Sequence, residues 1–115
     1  MRGTSSQAQL LLILALQLPF AHAGDLAVLP TNADAFREKI GIFIRPGARA
    51  ADARRLLESD RFHCQESKDV DGPVLWCMRA DGPPFPAVHR RYQVVIRSAG
   101  DAVTSVQTSM GLVGP

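Results

Sequence analysis

The chain has 115 residues, a formal net charge of +2, and 46% apolar against 21% charged residues. This length and composition argue against a large enzyme and against intrinsic disorder. The near balance of 13 basic and 11 acidic side chains excludes a strongly basic nucleic-acid binder.

The N-terminus reads as a secretory leader. Arg2 precedes the apolar run at residues 10–16, and the small-residue triplet Ala21-His22-Ala23 follows. A positive start, a short apolar core and an A-x-A end are the parts of a cleavable signal peptide. A membrane-spanning helix needs about 20 apolar residues, whereas Gln17, Pro19 and His22 interrupt this run early. Cleavage after Ala23 removes 23 of the 115 residues and leaves 92, enough for one small domain at residues 24–115. Losing Arg2 brings the mature net charge to about +1. No cysteine near the cleavage point offers a lipid anchor. The expectation is a soluble periplasmic or secreted protein with no stable membrane insertion.

Residues 24–30 form a short apolar lead. A first helix is expected over residues 30–45, with Thr31 three residues before Asp34 as a variant capping box. Phe36, Ile40 and Phe43 recur at helical spacing, while Gly41 weakens the end and residues 42–44 turn extended. Arg45-Pro46-Gly47 is a break. The second helix, residues 46–60, has an Ala- and Leu-rich body with an apolar stripe of Ala53, Leu56 and Leu57. Asp52 in its first turn complements the helix dipole. No good N-cap residue precedes it, so its start is expected to fray. Asp52, Glu58 and Asp60 are read as solvated acids.

From residue 61 to 109 the pattern is one of strands. Residues 61–66 and 74–79 flank a stretch rich in turn residues, Ser67 to Pro73. A hairpin symmetric about Val70 and Asp71 sets Cys64 opposite Cys77. Cross-strand neighbours have Cα atoms about 4.5–5.5 Å apart, within disulfide range, and an exported cysteine pair is most simply a disulfide. Closing such a loop stabilises by about 3 kcal/mol in the chain-entropy model. The spacing and ligand number do not suit a metal or a redox pair. Residues 81–86, with three prolines, form a loop. Residues 91–97 and 102–109 are the later strands, joined by a turn at residues 98–101. Residues 110–115 are expected to hang off the sheet as a tail. The predicted fold class is α+β: two short N-terminal helices packed on a three- or four-stranded antiparallel meander sheet with one disulfide-bridged hairpin.

Pro46-Gly47, a helix ending Arg55-Leu56-Leu57, and strands finishing in Asp101-Ala102-Val103-Thr104-Ser105-Val106 together resemble the small exported BamE/SmpA-type domains. Those domains share two helices on a three-stranded antiparallel sheet with the beta-lactamase inhibitory protein. The resemblance spans residues 43–109 and implies a binding or scaffolding domain of the bacterial envelope. This chain lacks the N-terminal lipid-bearing cysteine usual in that family and adds a cystine and a Pro-rich loop. No functional residue carries over.

No G-x-S-x-G, P-loop, G-x-G-x-x-G or H-E-x-x-H occurs. His63 adjoins Cys64, but adjacent strand residues point to opposite faces. The sequence therefore predicts neither catalysis, nor a cofactor, nor a metal. Hairpin parity puts Phe62, Cys64, Leu75 and Cys77 on one side, and His63, Gln65, Trp76 and Met78 on the other. If the helices cover the first side, the sole tryptophan lies on the second. Trp76, Met78 and His63, with Phe85 of the Pro-rich loop, are thus the candidate interaction surface for a protein partner. Two other readings are an inhibitor of a secreted hydrolase acting through the tip at residues 70–73, and a binder of anionic surfaces. The second would use Arg45, Arg49, Arg54, Arg55 and Arg61.

Overall fold

The first helical stripe, Phe36 and Ile40, forms α1 (Ala33–Phe43), and the second, Ala53, Leu56 and Leu57, forms α2 (Ala50–Ser59). The structure, a computed structural model, describes residues 24–82 and 88–114; the expected leader at residues 1–23 and Phe85 lie outside the described residues. After the helices come β1 (His63–Asp69), β2 (Gly72–Asp81), β3 (His89–Ala99) and β4 (Ala102–Val113). They form one antiparallel meander, in the order β1-β2-β3-β4. The α+β class holds, with four strands.

Both helices lie on one face of the sheet. Phe36, Ile40, Ile44 and Leu57 pack with Leu75, Cys77, Tyr92, Val94, Ile96 and Val103 in a single core. Phe36 meets Tyr92 edge-on, with ring centroids 4.8 Å apart, and the Tyr92 hydroxyl donates to the Pro30 carbonyl at 2.7 Å. Each such large apolar side chain contributes about 1.5–3 kcal/mol through burial.

The helix boundaries depart from expectation for local reasons. The α1 cap is Asn32, not Thr31: its Oδ1 accepts from the Ala35 N–H at 2.8 Å. Gly41 does not end the helix, which continues through Phe43 to an Ile44 N–H bond onto Ile40. A mid-helix glycine costs about 1 kcal/mol, and burial of Ile40 and Ile44 on either side offsets it. Residues 46–49 are not helical. Gly47 N–H donates to Val103 O at 2.7 Å, and Val103 N–H donates to Ala48 O at 2.8 Å. This short segment adds to the edge of β4.

Nor does the start of α2 hang free. Arg49 offers no side-chain cap. The β3–β4 turn supplies one instead: Ala50 N–H donates to Asp101 O at 2.7 Å, and the Asp101 carboxylate accepts from Ala51 N–H and from Arg49 Nε at 2.9 Å. The cap thus comes from a residue about fifty positions away, which local spacing cannot reveal.

The strands outrun their predicted lengths. Residues 110–113 are not a tail but the end of β4, where Met110 pairs with Tyr92 and Val113 with His89. A register shift at Arg97 and Ser98 absorbs one residue of β4. The β1–β2 turn closes at Asp69 and Gly72, and Gly72 takes φ +112°, a conformation that favours glycine.

Asp60 is not a solvated acid. It is 4% exposed, and its carboxylate accepts the Gly24 N–H at 2.9 Å and the Leu26 N–H at 2.8 Å. Arg61, at φ +72°, turns the chain there in the left-handed region. Arg79, 3% exposed, forks onto both Asp81 oxygens at 2.7 and 2.8 Å. It also donates to the carbonyls of Leu26, Ala27 and Asp60. These two side chains fasten the 24–30 lead across the sheet end.

Candidate functional site

Alternation along the strands decides which side chains the helices leave uncovered. The register sets Gln65, Trp76, Val95 and Gln107 in one row across the sheet, and His63, Met78, Gln93 and Ser109 in the next. A further row holds Ser67, Val74, Arg97 and Ser105. Val74 and Val95 are buried without joining the helix-side core. By register they belong to the opposite, helix-free face. Trp76 and Met78 stand on it, each 42% exposed, between glutamine, serine and histidine side chains.

The structure therefore brings three of the four predicted surface residues, Trp76, Met78 and His63, together on the helix-free face; Phe85 lies outside the described residues. Cys64 and Cys77 are directly opposed, Cα atoms 4.0 Å apart, and joined in a disulfide. Both point to the helix side, so the cystine ties β1 to β2 beneath α2 while leaving the Trp76 face clear. Val74 and Val95 were missed in the sequence, although their parity with Trp76 marks them. The alternation Val106, Thr108, Met110 was likewise a legible signal for a longer β4.

The hairpin tip projects from one end of the sheet. Val70 is 100% exposed. Below it the Arg97 guanidinium forks onto Asp69 at 2.5 and 3.0 Å and holds that carboxyl down at about 2, assisted by the Asp71 N–H. A cleft of about 910 Å³ runs between this end and the start of α2, bordered by Arg49, Arg54, Arg55, Glu66, Lys68 and Asp101. Three of the five arginines considered for anion binding sit here, each already engaged: Arg49 with Asp101, Arg54 with Glu58 and Glu66, and Arg55 with Asp52. Arg61 donates to the Ala27 carbonyl at 3.3 Å.

Among the described residues, no group of three or more His, Cys, Asp or Glu side chains could hold a metal ion. No helix among them is long and apolar enough to cross a membrane. No family model, curated protein or solved structure matches the chain. The functional reading therefore rests on geometry and chemistry.

Proposed function

We propose that the protein is an exported, non-enzymatic interaction domain that docks a protein partner on the helix-free face of its sheet. The observation that carries this reading is the pair Trp76 and Met78, half exposed above buried Val74 and Val95. Tryptophan and methionine are enriched at protein interfaces, where an apolar centre is surrounded by a polar rim. Gln65, Gln93, Gln107, His63 and Ser109 make such a rim by their register positions. The leader at residues 1–23 and the cystine support export, and the resemblance to BamE/SmpA-type domains supports a place in the bacterial envelope. A photo-crosslinking residue introduced at Met78, compared with one at Ile42 on exposed α1, tests the face in living cells. A discrete adduct from position 78 alone is expected. Identical adducts from both positions, or none from either, would reject the docking face.

One observation favours a second reading, inhibition of a secreted hydrolase. Val70 is fully exposed at a tip braced by the Asp69–Arg97 pair and, further down, by the cystine. A rigid projecting loop loses little entropy on entering a cleft. Replacing Val70, Asp71 and Pro73 with alanine would abolish inhibition; an undiminished effect on the target enzyme would rule this reading out.

A further inference from the structure

The buried Asp60 carboxylate is held by neutral donors. Its two hydrogen-bond donors are main-chain N–H groups, of Gly24 at 2.9 Å and Leu26 at 2.8 Å. Arg79 is the nearest guanidinium by bonding, but it gives Asp60 only a bond to the main-chain oxygen and spends its fork on Asp81. No salt bridge to Asp60 forms among the described residues. A carboxylate so nearly excluded from water gains further when one of its neutral donors is replaced by a charged one, because charge-assisted hydrogen bonds are the stronger kind.

The sequence supplies that charge at the atom already in place. The leader reading puts the cut between Ala23 and Gly24. Hydrolysis there consumes one water, leaves Ala23 as a carboxylate and frees the Gly24 nitrogen as an amine. With an ordinary pKa of about 8, that amine takes up a proton at neutral pH. The nitrogen that donates to Asp60 Oδ1 as a peptide N–H would then do so as an ammonium. We propose that Asp60 is the receptor for the α-ammonium created by leader removal, so that processing at Ala23–Gly24 completes an ion pair between an exposed chain end and a buried carboxylate and locks the 24–30 lead onto the domain.

Two unrelated observations converge on one bond: an A-x-A triplet ending at Ala23, and a buried acid 2.9 Å from the nitrogen of the next residue. The surroundings are built for the purpose. Arg79 pins Leu26 and Ala27 by their carbonyls. Ala27 N–H closes a turn onto Gly24 O at 3.1 Å. The left-handed Arg61 turns the chain just after Asp60.

The inference rests on the export reading given above, and the experiment separates the two. The full precursor is exported, and the mass of the purified product is measured. A chain beginning at Gly24 is expected; a different mature start or a retained leader overturns the Asp60 assignment, and a precursor found only in the cytoplasm overturns export itself. A second precursor, with Ser-Gly inserted after Ala23, moves the ammonium two residues from Asp60. The natural mature form should melt about 5 °C or more above the extended one, and the difference should vanish in an Asp60→Asn background. Equal melting with Asp60 intact, or a gap that survives Asp60→Asn, overturns the proposal. If Asp60→Asn does not fold, amine labelling of the natural protein decides. The Gly24 amine should react more slowly in the folded than in the urea-unfolded chain, and equal rates overturn the pairing.

Discussion

Arg79 hands its hydrogen bonds to three main-chain carbonyls, of Leu26, Ala27 and Asp60, and to both oxygens of Asp81. Its guanidinium also stands 5.8 Å from the centre of the Phe62 ring, within cation–π range. Arg79→Ala would strand Asp81 and leave buried carbonyls unpaired, at a cost of about 3 kcal/mol or more. Urea unfolding monitored by circular dichroism checks this; a variant with an unchanged midpoint would show that the lead contributes nothing. This part of the molecule was not legible beforehand. Asp60 lies just past a charged helix, where acids are usually solvated, and its burial depends on a segment more than thirty residues earlier folding over it. Trp76 was legible, because strand parity is local and its period of two leaves only two faces to choose between.

At the scale of elements, two acids tie separate pieces together. Asp101 caps α2 from the β3–β4 turn, and Arg49 Nε, bonded to it, holds its carboxyl below the ordinary range. Asp101→Ala removes the acceptor of the Ala51 N–H, and should speed hydrogen exchange at the Ala51 amide and lower the melting temperature. Exchange there as slow as in the native chain would mean the cap is idle. Asp69 braces the β1–β2 hairpin, and the Arg97 guanidinium draws its carboxyl from 3.8 to about 2. A folded value below the unfolded one means the brace stabilises fully above about pH 4 and is lost as pH falls toward 2. Melting temperature followed from pH 4.5 to pH 2 should therefore fall less steeply in Asp69→Asn than in the native chain; parallel curves would contradict the assignment. Element order and the hairpin register could be read from the sequence because turn chemistry and alternation are short-range signals. The end of β4 was obscured by Gly111, which resembles a tail residue until its pairing with Arg91 of β3 is seen. The capped start of α2 was out of reach, since the capping side chain arrives from another element.

For the molecule as a whole, the helices among the described residues lie on a single face of the four-stranded sheet, and the cystine lies on that same face. Cys64 and Cys77 lie on the helix side, so Trp76 and Met78, one residue out of phase, must lie on the other. A domain of this size has a total stability of about 5–10 kcal/mol, and removing the disulfide should cost about 3 kcal/mol of it. Cys64→Ala with Cys77→Ala, compared with the oxidised native chain in urea, would show this as a lower midpoint; coincident curves would deny the cystine its role. Docking on the sheet requires the helix-free face to be open. Fluorescence of Trp76 in the folded mature protein, titrated with acrylamide, reports on that face directly. Red-shifted emission and efficient quenching are predicted, with little further gain on unfolding; blue-shifted emission that resists acrylamide until the chain is denatured would mean that the face is closed and the docking surface does not exist.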